Sequence, residues 1–313
     1  MMHLNQLLAD LPATTDAAVP DWMLGCFRRR CISFANGLGD EQTQVYWLQC
    51  GSFTLDLRLP PGPEPLAIKD WDAYSADELA LLSLREGWQA DTLWDGNALA
   101  WEGGVSLHLH NPWPEPALLQ RIGNCMMEFA PSGAYVEDWR LQPPGPGPLL
   151  GLRLLEERDA EGCLRHQGGG LIIAGEMAGL VRGRAEAVAD SGRLPDVVAA
   201  AVGQGDALAT LFGCDIALAR GDWQQGYQVE RSTHPARQHQ SLLSLQGFSW
   251  LANAPGQLLQ RCEENGLVVE RRWLLDTWLP DWQPLATSEQ TAAAAEWFEQ
   301  ESATLTRCLQ RLD

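Results

Sequence analysis

A chain of 313 residues with 22 Lys and Arg against 41 Asp and Glu has a formal charge of -19. Its surface repels phosphate backbones and anionic headgroups, so neither nucleic acid nor a membrane is an expected partner. The length suffices for one large domain or two modest ones, each with a substantial core. Eight cysteines, from Cys26 to Cys308, never fall in C-x-x-C spacing, and 14 tryptophans spread from Trp22 to Trp297. These read as reduced, mostly buried thiols and as several aromatic core clusters.

Leu4 to Leu11 predicts a short amphipathic helix ended by Pro12. Asn5 and Asp10 interrupt this stretch, and no window of about 18 apolar residues occurs elsewhere, so no signal peptide or membrane span is expected and the expected location is cytoplasmic. Met23 to Phe34 reads as a strand with Cys26, Arg28 and Arg30 on one face and Phe27, Arg29 and Cys31 on the other. A Gly-rich turn over 35–42 leads into Val45 to Pro60, an antiparallel hairpin turning at Gly51-Ser52. Its second strand alternates Phe53, Leu55, Leu57 and Leu59 with Thr54, Asp56 and Arg58, the period of a strand with one buried face.

After a loop over 60–65, Ser75 with Glu78 three residues on forms a capping box opening a helix over 75–85. Strands are predicted over Gln89 to Trp94, Ala98 to Glu102 and Val105 to His110, divided by the turn sequences Asp95-Gly96-Asn97 and Gly103-Gly104. Cys125 to Phe129 and Ala134 to Leu141 pair around Pro131-Ser132-Gly133. The run Pro143-Pro144-Gly145-Pro146-Gly147-Pro148 supports neither helix nor ladder and reads as a linker between domains over 1–142 and 149–313.

In the second half, strands are expected over 149–157 and over 170–184, the latter bent by Gly175 and Gly179, with a short helix over 195–203. Further strands fall over 207–218, 227–233 and 240–245, and a pair over 257–262 and 266–275 turns at Glu263-Glu264-Asn265. Thr287 to Leu312 predicts a C-terminal helix. The fold class is therefore mainly all-β: two antiparallel β-barrels with short helices and a C-terminal helix.

Several segments spread over residues 22–245 resemble a family of bacterial proteins of unknown function. They are Trp47-Leu48-Gln49, Asp56-Leu57-Arg58-Leu59-Pro60, Tyr135-Val136-Glu137-Asp138-Trp139-Arg140, Gly175 to Arg184, and Tyr227 through Ser232-Thr233-His234-Pro235. The architecture is similar to that of the yeast casein-kinase-interacting protein built from two calycin-like barrels, the barrel class of lipocalins and fatty-acid-binding proteins. The resemblance implies a double-barrel fold and a ligand cavity, and it implies no reaction. Where that family carries a His-Arg pair before an acidic residue, this chain has His108-Leu109-His110-Asn111.

His108, His110 and Glu115 approach the first metal motif of the cupins, in which two His and a Glu project from neighbouring strands. Pro112, Pro114 and Pro116 obstruct the pairing that would return Glu115 beside the histidines, so no metal or other cofactor is expected. Arg58, beside Asp56, faces away from the leucines, either to solvent or into a barrel where it can fix a ligand carboxylate through a bidentate pair. Glu137, Trp139, Arg182 and Arg184 divide between ligand contacts and an internal ion pair closing a barrel. Arg231-Ser232-Thr233-His234 lacks a nucleophile elbow, and Gly168-Gly169-Gly170 precedes a strand, so neither catalysis nor phosphate binding follows. Arg28-Arg29-Arg30 reads as solvated charges or local ion pairs.

The expected site is thus a ligand pocket in the first barrel formed by Arg58, Asp56, Glu137, Trp47 and Trp139. The expected function is non-catalytic binding of a small, partly apolar ligand, acidic in one form, or interaction with a protein. A metal-dependent cupin-like enzyme and a scaffold with filled barrels are the alternatives.

Overall fold

Trp47 pairs with Asp56 and Leu48 with Leu55, so the hairpin read from residues 45–60 forms in the register its alternation demands. It belongs to a computed structural model that describes residues 1–15, 17–62, 66–110, 115–189, 192–264, 266–285, 291–305 and 307. The chain is mainly β, with 45% strand and 17% helix. Eight strands of the first sheet form its barrel: β1 (Gly25–Phe34), β2 (Gln44–Gln49), β3 (Phe53–Leu59), β4 (Glu86–Trp94), β5 (Ala98–Ser106), β6 (Ala117–Ile122), β7 (Cys125–Phe129) and β8 (Tyr135–Leu141), and the two-residue strand Gly39–Asp40 pairs at the edge with β1. Each pairs antiparallel with the next, and β8 returns to β1, closing a barrel.

Two expectations change here. Gly103-Gly104 does not turn the chain, because β5 runs straight through it. Both glycines have positive φ, +63° and +78°, and a Cβ on Gly104 would lie 1.8 Å from the Gln89 carbonyl oxygen. The pair marks a bulge, with a register shift opposite between Gln89 and Asp91. His108 and His110 therefore follow β5 instead of sharing a strand face.

The second sheet comprises β9 (Leu149–Asp159), β10 (Leu164–Gln167), β11 (Gly169–Ala174), β12 (Met177–Arg182), β13 (Asp215–Asp222), β14 (Gly226–Ser232), β15 (Phe248–Trp250), β16 (Gln257–Glu264) and β17 (Leu267–Leu279). Its order is β14-β13-β12-β11-β9-β17-β16-β15, with β10 beside β9, and it is open. The segment 240–245, expected as a strand, makes one isolated bridge from Ser241 to Gln228. His239, at φ +64°, breaks the extended path just before it. The stretch 170–184 is a hairpin turned at Gly175, not one bent strand.

Helices α1 (Leu4–Leu8), α2 (Ala76–Ser83), α3 (Leu194–Ala200), α4 (Gly205–Leu211) and α5 (Ala292–Leu305) complete the described chain. The capping box at α2 forms: the Ser75 hydroxyl accepts from the Glu78 amide at 3.3 Å, and the Glu78 carboxylate accepts from the Ser75 amide at 2.9 Å. Helix α4 replaces the first half of the strand expected over 207–218; Leu208 and Leu211 bury at helical spacing. Leu4 and Leu8 pack in the core of the second sheet, and Thr14-Thr15 pairs with β17, so the first residues of the chain sit on the later sheet. The turn residue Asn265, the loop residues 63–65, and residues 287–290, 306 and 308–312 of the expected C-terminal helix, Cys308 among them, lie outside the described residues. In α5 no residue is buried, and Trp297 is 57% exposed, against the expectation of core tryptophans.

Strand β3 positions the site because it is buried on both sides. Phe53, Leu55 and Leu57 turn outward from the barrel onto the second sheet, where a Cβ built on Gly170 would lie 2.7 Å from Phe53 and one on Gly179 would lie 3.3 Å from Leu55. Thr54, Asp56 and Arg58 consequently turn into the barrel. The apolar face meets a neighbour, and the polar face makes the interior.

Candidate ligand cavity of the first barrel

The barrel floor is aromatic and hydrogen-bonded. The Trp47 ring lies 5.6 Å from both Phe27 and Trp139 and 6.2 Å from Trp101. The indole N–H groups of Trp47 and Trp101 donate to the Thr54 hydroxyl at 3.3 and 3.2 Å, and Thr54 itself donates to Gln49. Every buried polar group of this layer thus has a partner, as a barrel interior requires.

Above the floor the interior becomes ionic. Arg58 donates from Nε to Asp56 Oδ1 at 2.8 Å, and Arg29 donates from Nη1 to Glu137 Oε1 at 2.7 Å and from Nη2 to Asp40 at 3.0 Å. Arg29 is therefore not a solvated charge. It is 6% exposed, because β1 alternates it inward with Phe27 while Arg28 and Arg30 face solvent. Glu128, 4% exposed, accepts from the Trp139 indole at 3.0 Å and from the Tyr135 hydroxyl at 3.2 Å. Burial, with Glu137 opposite, pushes its carboxyl up to about 8. Burial likewise raises Asp56, whose Arg58 partner restrains the shift. For Arg58, burial opposes the charge, but Asp56 and Glu137 outweigh it and push the pKa up.

Between these groups and the barrel mouth is a cavity of about 330 Å³. Arg58, Glu128, Tyr135, Glu137, His108 and His110 are among its polar lining, while Trp88, Trp101, Val105 and Leu109 supply apolar wall. Of the five expected site residues, Arg58 and Glu137 line the cavity. Asp56 holds Arg58 from the side, and Trp47 and Trp139 belong to the packed floor. Glu128, Tyr135, Trp88 and Trp101 escaped the sequence reading. Glu128 left a trace there, as a charge two residues from buried Met126 on an otherwise apolar strand face.

The cupin-like geometry does not assemble. The rings of His108 and His110 are 6.1 Å apart, His108 Nε2 lies 3.1 Å from the Arg85 carbonyl oxygen, and the Glu115 carboxylate accepts from the Ser132 hydroxyl at 2.9 Å. Residues 111–114, whose prolines were expected to obstruct the pairing, lie outside the described residues. Among the described residues, no group of three or more His, Cys, Asp and Glu side chains converges to hold a metal ion.

The interior of the second sheet is filled. Arg182 pairs with Asp215 at 2.6 Å, Arg271 with Glu157 and Glu264 at 2.6 Å each, and Leu150, Leu152, Leu171 and Trp273 pack beside them. Arg182 thus closes an internal ion pair, and Arg184 instead reaches the barrel, donating to the Ser106 carbonyl at 2.8 Å. Ser232 donates to the Ile216 carbonyl, which leaves the Arg231 to His234 run a structural one. A second, polar cavity of about 360 Å³ abuts this packing, bordered by Arg237, Leu243, Leu245 and Glu264.

Compared with protein-family models, curated proteins and solved structures, the chain matches none. The fold and cavity by themselves define a closed antiparallel barrel with a charged, aromatic-walled pocket, buttressed by an open sheet. Among the described residues, no helix is long and apolar enough to cross a membrane.

Proposed function

We propose that this protein is a non-catalytic binder of a small, partly apolar molecule, which it holds in the first barrel. The observation that carries the reading is the cavity of about 330 Å³, lined by a cluster of buried polar groups (Arg58, Glu128, Tyr135 and Glu137) together with tryptophan and aliphatic side chains. An eight-stranded barrel holds one small ligand at most, and few, placed polar groups among apolar walls are what orient one. The resemblance drawn from the sequence to calycin-like barrels fits this reading for the first barrel; the second sheet is open and is not the second barrel expected over 149–313. Arg58, Glu137, Tyr135 and Glu128 form the polar cluster in this proposal, Asp56 fixes Arg58, and Trp47 and Trp139 set the floor. The described cysteines carry no disulfide, which suits a cytoplasmic setting where thiols stay reduced.

Native mass spectrometry of freshly purified protein, together with tryptophan fluorescence titration, tests the proposal. Trp88 and Trp101 sit in the wall and report occupancy. The expected result is saturable binding of one small molecule per chain, lost in Ser106→Trp, whose new ring fills the cavity. Binding that survives Ser106→Trp unchanged would move the site elsewhere, and the absence of any bound mass or titration would favour a scaffold.

A further inference from the structure

Resting on the small-ligand reading above, we infer that the ligand is a protonated amine whose ammonium sits at Glu128 and whose apolar body lies against Trp88 and Trp101. The geometry begins in the ladder. Glu128 on β7 and Glu137 on β8 are direct cross-strand partners, both turned into the barrel and both buried. Like charges directly opposite destabilise a sheet unless something neutralises them. Arg29 neutralises Glu137, and Asp56 neutralises Arg58. Among the described residues Glu128 has no ion-pair partner of its own: its two hydrogen bonds come from the neutral donors Tyr135 and Trp139, and Arg58, already held by Asp56, acts on it only across the cavity. An ionised carboxylate buried without a cation is costly, so the empty site favours a proton and the occupied site favours an ammonium in its place.

The walls agree with that charge. Trp88 and Trp101 stand 5.6 Å apart edge to face at an interplanar angle of 70°, and both line the cavity, giving it the aromatic surface that attracts a cation. Groups of both signs face Glu128 across the cavity: Glu137 beside it, Arg58 from β3, and His108 and His110 in the lining, with Glu86 acting on Arg58 from β4. A ligand carboxylate would meet Glu128 and Glu137 and would compete with Asp56 for Arg58. A bound ammonium displaces the Glu128 proton to solvent and leaves an ion pair with no other change in bonding.

Isothermal titration near pH 7 with phenethylamine, phenethyl alcohol and hydrocinnamate tests the inference, each run in two buffers of different ionisation enthalpy. Phenethylamine is expected to bind at least about tenfold more tightly than the other two and to release close to one proton. Glu128→Gln should cost the amine about tenfold or more and abolish the proton release, while an unchanged far-ultraviolet circular dichroism spectrum reports an intact barrel. The proton count on the unaltered protein needs no variant. Alcohol or hydrocinnamate binding as tightly as the amine, or amine binding without proton release, would overturn the amine assignment and leave the cavity reading standing. Binding by none of the three would remove both.

Discussion

Glu128 makes stability depend on pH in a direction opposite to that of an ordinary paired carboxylate. Its folded-state pKa, pushed up to about 8, lies above the usual 4.5, so the folded chain holds this proton more tightly than the unfolded one. Raising the pH between those two values therefore loses stability, by up to roughly 1.4 kcal/mol per unit, and the loss levels off above the folded pKa. Glutamine copies the protonated form. Glu128→Gln should match the unaltered protein near the acid end of that window and exceed it by several kcal/mol near pH 8, as read by denaturant unfolding; parallel pH profiles for the two proteins would refute this. Arg29 is the converse case, because its removal strands Glu137. Arg29→Met should cost roughly 3 to 5 kcal/mol, the range for breaking a buried pair, and a cost below about 0.5 kcal/mol would place Arg29 in solvent.

At the scale of elements, β3 shows how far alternation reads. Phe53, Leu55 and Leu57 are buried together, and Leu55→Ala should cost roughly 2 to 5 kcal/mol in an unfolding titration. A loss typical of surface positions would contradict that packing. The same period marked Arg58 and Asp56 as a pair on the opposite face, so part of the polar lining of the cavity was legible in the sequence. What alternation cannot say is what each face meets. The leucines read as a core face, yet they lie outside the barrel against the second sheet, and the polar face is the interior. Arg29 was illegible for a related reason: its partner Glu137 lies 108 residues away and only barrel closure joins them. Helix α2 was legible because a capping box is local chemistry. Helix α4 was not, since in seven residues the spacing of Leu208 and Leu211 blurs into strand alternation. Gly103-Gly104 carries turn composition, but the neighbouring strand makes it a bulge, which only the pairing register distinguishes.

At the scale of the whole molecule, the two sheets are pressed together where side chains are missing. A Cβ on Gly87 of β4 would come within 2.8 Å of Ile216 on β13, and one on Gly151 of β9 within 2.8 Å of Cys50 Sγ. Polar contacts border this apolar seam. Arg153 on β9 reaches Ser52 Oγ at 2.7 Å and Asp276 at 3.1 Å and also pairs with Asp91 of the barrel, while the Gly51 amide donates to the Thr277 hydroxyl at 2.8 Å. The outer wall of the barrel is thus also core of the second sheet, and neither can shed the other without exposing Leu48, Leu55, Ile172 and Ile216 to water. The two halves should therefore unfold in one transition, with tryptophan fluorescence and far-ultraviolet circular dichroism coincident along a denaturant gradient. Two resolved transitions in the unaltered protein would contradict the shared core. Gly87→Val drives extra methyl groups into Ile216 and should cost roughly 1 to 3 kcal/mol, the usual penalty of overpacking. Because β4 also carries Trp88 of the cavity wall, the same substitution should weaken ligand binding in the barrel although residue 87 touches only the far side of that strand. Unchanged binding in a destabilised Gly87→Val protein would show that the wall does not depend on the sheet behind it.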